Sequence, residues 1–74
     1  MSDAVQRLRS LLAEAQSMNA DYMHVTSTPR AMRAIGLRGK VVCEHPDGRR
    51  TYSVKTDKVV QRVQWVLDEL EAAP

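Results

Sequence analysis

The 74-residue chain has little of what small domains use to staple themselves together. It holds one cysteine, Cys43, so no internal disulfide can form, and its two histidines are too few for a zinc site. Phenylalanine is absent and the only rings besides histidine are Tyr22, Tyr52 and Trp65, a thin supply for the stacking platforms of RNA-binding domains. No run approaches the roughly 18 apolar residues that span a bilayer, so no membrane partner is expected. The opening Met1-Ser2-Asp3 is acidic where a secretory leader is basic and then apolar, and the expectation is a cytoplasmic protein of bacterial or phage type. There is no Ser/His/Asp grouping, no pair of carboxylates on one helical face and no phosphate-cradling glycine loop; neither an enzyme, a cofactor nor a bound metal is expected. A single domain of this size draws only about 3 to 5 kcal/mol from its core, which leaves self-association as the remaining staple.

What the chain does have is segregated charge. Residues 30 to 62 hold nine basic side chains (Arg30, Arg33, Arg38, Lys40, Arg49, Arg50, Lys55, Lys58 and Arg62) against Glu44, Asp47 and Asp57, a net of +6. The total is +2, so the two ends together carry −4. A surface of one sign focuses its field and favours a polyanionic partner, nucleic acid above all.

The ends read as helices. From Asp3 to about Met18, the residues Ala4, Val5, Leu8, Leu11, Leu12, Ala15 and Met18 fall within an arc of roughly 140° at 3.6 residues per turn. Ser2 or Asp3 is placed to cap this helix, and Gln6 completes a capping box with Asp3. From Asp57 to about Ala72, the residues Val59, Val60, Val63, Val66, Leu67 and Leu70 form a second stripe, capped by Thr56 or Asp57. Trp65 lies off that stripe among polar neighbours, which marks it for a covering contact either within the chain or with a second subunit.

The middle reads as a hairpin preceded by a short helix. Lys40 to Glu44 and Arg50 to Val54 are rich in β-branched and aromatic residues, and His45-Pro46-Asp47-Gly48 between them is turn chemistry. Thr28-Pro29 opens a helix with proline in its favoured first position, and Gly36 ends it. Tyr22 to Thr26 fits either a third strand or a single helical turn. The expected fold is therefore a single α+β domain over residues 1–74, with helices at 3–18 and 57–72, a hairpin at 40–54 and, if 20–26 is helical, a helix-turn-helix at 20–36.

These elements put cations where phosphates bind. Thr28, Arg30 and Arg33 lie on the short helix, Arg38 and Lys40 follow it, and Arg49, Arg50 and Lys55 lie on the hairpin; together they are the candidate contacts to double-stranded DNA. Val5, Leu8, Leu12, Val63, Trp65, Val66 and Leu70 are the candidate homodimer interface, because two apolar stripes exceed what so short a chain is expected to cover alone. Cys43 and His45 share a strand face, but two ligands do not make a metal site.

Gly36-Leu37, the basic strand after it, Asp47-Gly48-Arg49-Arg50-Thr51-Tyr52-Ser53-Val54, then Asp57 and a striped helix resemble the wing and terminal helix of winged-helix repressors of the ArsR type. A weaker similarity is to MerR-type regulators. The resemblance covers residues 28 to 70 and implies a small winged-helix-like domain in which Thr28, Pro29, Arg30 and Arg33 belong to the recognition helix. It makes Arg49 and Arg50 the wing tip, gives dimerisation to the first and last helices, and implies regulation of transcription or recombination. From another class comes a protein-binding module, for example a phage-type factor docking on a host protein through Trp65 and the amphipathic helices, with no role for nucleic acid.

Overall fold

The computed structural model describes residues 3–72, and the alternative cap Ser2 lies outside that range. Six elements follow one another: α1 (Asp3–Ser17), β1 (Tyr22–Ser27), α2 (Pro29–Ile35), β2 (Lys40–Glu44), β3 (Arg50–Lys55) and α3 (Thr56–Ala72). The chain is thus α+β, with three helices and a three-stranded antiparallel sheet in the order β1-β3-β2.

Residues 22–27 are a strand, the first of the two alternatives open at Tyr22 to Thr26, and this removes the possible helix-turn-helix over 20–36. The physical reason is pairing at a distance. Met23 and Val25 lie opposite Val54 and Tyr52 on β3, and burying those four side chains together rewards an extended backbone that the local sequence only permits. No helix therefore precedes α2 in the arrangement a helix-turn-helix requires.

Local signals set the other boundaries. The Thr28 hydroxyl accepts the Ala31 N–H at 3.1 Å, Pro29 occupies the first turn, and Gly36 closes α2 in the left-handed region at φ 84°. Gly48, at φ 91°, turns the hairpin. The β2–β3 pairing slips by one residue between Val41 and Cys43, so Val42 is an extra residue in the edge strand.

One core fills one side of the sheet. Met23, Val25, Tyr52 and Val54 meet Ala15 of α1, Met32 of α2, Leu37, and Val59, Val63 and Leu67 of α3. Val5, Leu8, Leu11, Leu12, Ile35 and Val60 pack around this cluster. The helical stripes face each other inside the chain, and Arg9 on α1 joins Glu71 on α3 at 2.7 Å. The shortest axis of the fold is 17 Å, room for the sheet and one helical layer about 10 Å apart but not for a helix on the other side. The second face of the sheet is consequently open.

This packing revises the expected dimer interface. Val63 is 0% exposed and belongs to the core, so it is not an intersubunit residue. Val5, Leu8, Leu12 and Val66 are half-buried. Only Trp65 and Leu70 of that set stand out from the surface, at 50% and 51% exposure.

Candidate nucleic-acid interface

Ion pairing divides the cations of the middle segment into two groups, and register places those of the strands. Directly opposed residues in an antiparallel pair share a face, and Arg50 lies opposite both Ser27 and Glu44 on the side that carries Tyr52 and Val54. There its guanidinium Nε meets Glu44 Oε1 at 3.1 Å. Arg49 in the turn is 3.7 Å from Asp47 Oδ2, and its backbone N–H donates to Asp47 Oδ1 at 3.0 Å. Both arginines of the expected wing tip are thus partnered by carboxylates of their own hairpin.

The other group has no such partners. Arg30 and Arg33 are three residues apart on the exposed face of α2, whose opposite side buries Met32. The chain leaves the Arg50 end of the sheet at Ser27, runs through α2 and Arg38, and re-enters the sheet with Lys40 opposite Ser53. Lys55 stands two residues beyond Ser53 on the same face, diagonal to Lys40 at about 7 to 8 Å between backbones. Lys58 follows in the first turn of α3. Among the described residues, Arg30, Arg33, Arg38, Lys40, Lys55 and Lys58 are all exposed and none is in an ion pair.

Arg50 and the Lys40–Lys55 corner do not merge. Arg50 and Lys55 end the same strand on opposite faces, five residues and about 16 Å apart. Arg49 lines one groove with Thr28 and Ala31 at the start of α2, and Arg50 stands opposite Ser27 just before that helix, so the hairpin tip neighbours the N-terminal end of α2, whereas Lys40 and Lys55 lie on the other sheet face toward the far end of β3. Thr28 contributes through its cap, since its hydroxyl is engaged by Ala31.

Arg62 was not among the expected site residues, and it fixes how α2 sits. Its Nε donates to the carbonyl oxygen of Ile35 at 2.9 Å in the last turn of α2. The same guanidinium lies over the Trp65 ring, 4.8 Å from the centroid, which accounts for one side of that off-stripe indole. Nothing in the local sequence announces a contact spanning 27 positions.

On the open face, two threonine hydroxyls and one imidazole are linked. Thr26 Oγ1 and Thr51 Oγ1 are 2.8 Å apart, and His45 Nε2 is 2.8 Å from Thr51 Oγ1. Cys43, also opposite Thr51, is exposed and directs its thiol toward the Glu44 carbonyl at 3.7 Å. No grouping of three or more His, Cys, Asp or Glu suited to a metal ion occurs among the described residues, and no described helix is long and apolar enough to cross a membrane. Compared with protein-family models, with curated proteins and with solved structures, the chain matches none.

Proposed function

We propose that this chain is a DNA-binding domain that grips phosphates with the exposed cations of α2, the α2–β2 loop and the Lys40–Lys55 corner. The observation that carries the reading is the set of six cations, Arg30, Arg33, Arg38, Lys40, Lys55 and Lys58, that are exposed and form no ion pair among the described residues. Leaving that many like charges unneutralised on a small domain costs self-repulsion, and a polyanion relieves it. Phosphate contacts supply the affinity, and Arg30 and Arg33 are the side chains that reach base edges. A role as a small regulator of transcription or recombination, by resemblance to the wing segment of ArsR-type repressors, belongs to the same proposal. The helix-turn-helix part of that resemblance is not carried forward.

Arg49 and Arg50 have a lesser part in this reading, because Asp47 and Glu44 offset their charge and a phosphate gains little by displacing either carboxylate. Exposed pairs of this kind are worth about 0 to 1 kcal/mol, so the displacement is cheap but the net gain is small. Titration of a labelled duplex tests the proposal. Arg30→Ala/Arg33→Ala should weaken binding about tenfold and reduce the salt slope by about two, while Arg49→Ala/Arg50→Ala has the smaller effect. Unchanged binding by the α2 variant, with its fold intact by circular dichroism, would falsify the assignment.

A second reading rests on Trp65 and Leu70. Both are about half exposed, and a groove between α1, β1 and α2 is lined by Leu8, Leu11, Val25, Ile35 and Val66. These are features of a protein-docking module or a homodimer surface. With the helical stripes spent against each other, self-association has only Trp65, Leu70 and that groove to draw on.

A further inference from the structure

The sheet face turned away from the core has no structural duty, and its composition is unusual for an idle surface. Tyr22, His24 and Thr26 of β1, Thr51, Ser53 and Lys55 of β3, and Lys40 and Cys43 of β2 all point to it, by the register that sends Met23, Val25, Tyr52 and Val54 to the core. The Thr26–Thr51 and His45–Thr51 contacts place those three side chains there directly. Tyr22 is 56% exposed and stands opposite Lys55. His24 follows it by two residues, about 6.6 Å along the strand, opposite Ser53. The one acidic residue within the three strands, Glu44, is on the other face with Arg50.

We infer that this open face binds single-stranded nucleic acid, with Tyr22 and His24 stacking on unpaired bases and Lys40 and Lys55 holding the phosphates between them. The inference rests on the nucleic-acid reading above and narrows the ligand of the Lys40–Lys55 corner, which both surfaces share. A phosphate lattice alone needs no rings, and a duplex hides the faces of its bases. A flat face with an exposed tyrosine, an imidazole two residues away, two lysines and rows of hydroxyls fits a strand whose bases are free to stack and whose backbone is negative. Threonine and serine hydroxyls along β3 supply hydrogen bonds that tolerate any base. Charge complementarity between Lys40 and Lys55 and a phosphate backbone, beside exposed ring faces that stack on unpaired bases, favours this occupant. Asp21 and Asp57 are near only the Tyr22–Lys55 end, where they line a concavity with those two residues and with Gln16, Met18 and Val60 from the helical layer. They bound the strand's path at that end.

Fluorescence anisotropy of end-labelled oligo(dT) and of a duplex of the same length tests this with the whole chain. Tyr22→Ala should weaken oligo(dT) binding about fivefold or more, and Tyr22→Phe, which keeps the ring, should restore it. Duplex binding should change by less than twofold in both variants. Asp21→Asn should tighten the single strand by removing a like charge from its path. Inorganic polyphosphate as competitor separates stacking from charge: a surface that reads phosphate alone yields to it equally in the wild type and in Tyr22→Ala. Equal oligo(dT) affinity for wild type and Tyr22→Ala overturns the inference and leaves the duplex reading standing. Absence of binding to both nucleic acids at low salt overturns both.

Discussion

Replacing Gly36 with alanine tests the joint between α2 and α3. Gly36 sits at φ 84°, where a Cβ costs about 1 to 2 kcal/mol. That Cβ also falls 2.7 Å from Arg62 Nε and 2.8 Å from Nη2, so the guanidinium must move. Moving it breaks the bond to the Ile35 carbonyl, which as a charge-assisted contact is worth about 1.5 to 3 kcal/mol. The total, about 2.5 to 5 kcal/mol, rivals the entire stability expected of so small a core. In an Arg62→Ala background the second cost is already paid, and Gly36→Ala should then cost only the conformational part. Urea unfolding of the four proteins, followed by circular dichroism with Trp65 fluorescence as a second probe, yields the coupling. An interaction of about 1.5 kcal/mol or more is expected. Costs that add to within about 0.5 kcal/mol would show that Arg62 does not hold α2, and the account of the joint would be wrong.

Three further outcomes follow from the packing. Thr56, one of the two residues (with Asp57) placed to cap α3, is 7% exposed and its hydroxyl has no hydrogen-bond partner, so its side chain caps nothing; Thr56→Val should leave stability unchanged or raise it by up to about 1 kcal/mol, and a loss of that size in thermal melts would contradict this. Val63→Ala should cost about 2 to 3 kcal/mol because it empties a fully buried site, whereas an intersubunit role would make its cost depend on protein concentration. Light scattering at micromolar concentration should return the 8.3 kDa monomer, since the stripes cover each other; twice that mass would return Trp65 and Leu70 to an interface.

Sequence made some of this legible and not the rest, for reasons that lie in specific residues. Pro29 and Gly36 bracket α2, and Pro46 to Gly48 mark the hairpin, because each acts on its own backbone and needs no distant partner. The stripes of α1 and α3 were readable as stripes, yet periodicity says only that a face is covered. It does not say by what, and here each helix covers the other. β1 stayed open between strand and turn because only Met23 and Val25 bury inward, and the partners that decide the matter lie some thirty positions away on β3.

The candidate site was legible as a charge excess and not as a geometry. Arg49 and Arg50 look as free as Arg30 and Arg33 in the sequence, but register turns Arg50 to the core side and sets it against Glu44. The slip at Val42 enters here, since it changes which face Cys43 and Glu44 share with β3. Arg62 reads as one more surface cation, and its bond to Ile35 appears only once α3 crosses the end of α2.

The salt dependence of duplex binding by the unmodified chain tests the central claim most directly. Six cations each neutralising one phosphate should make log affinity fall against log salt with a slope of about −5. A slope near zero, or no binding at low ionic strength, would contradict it.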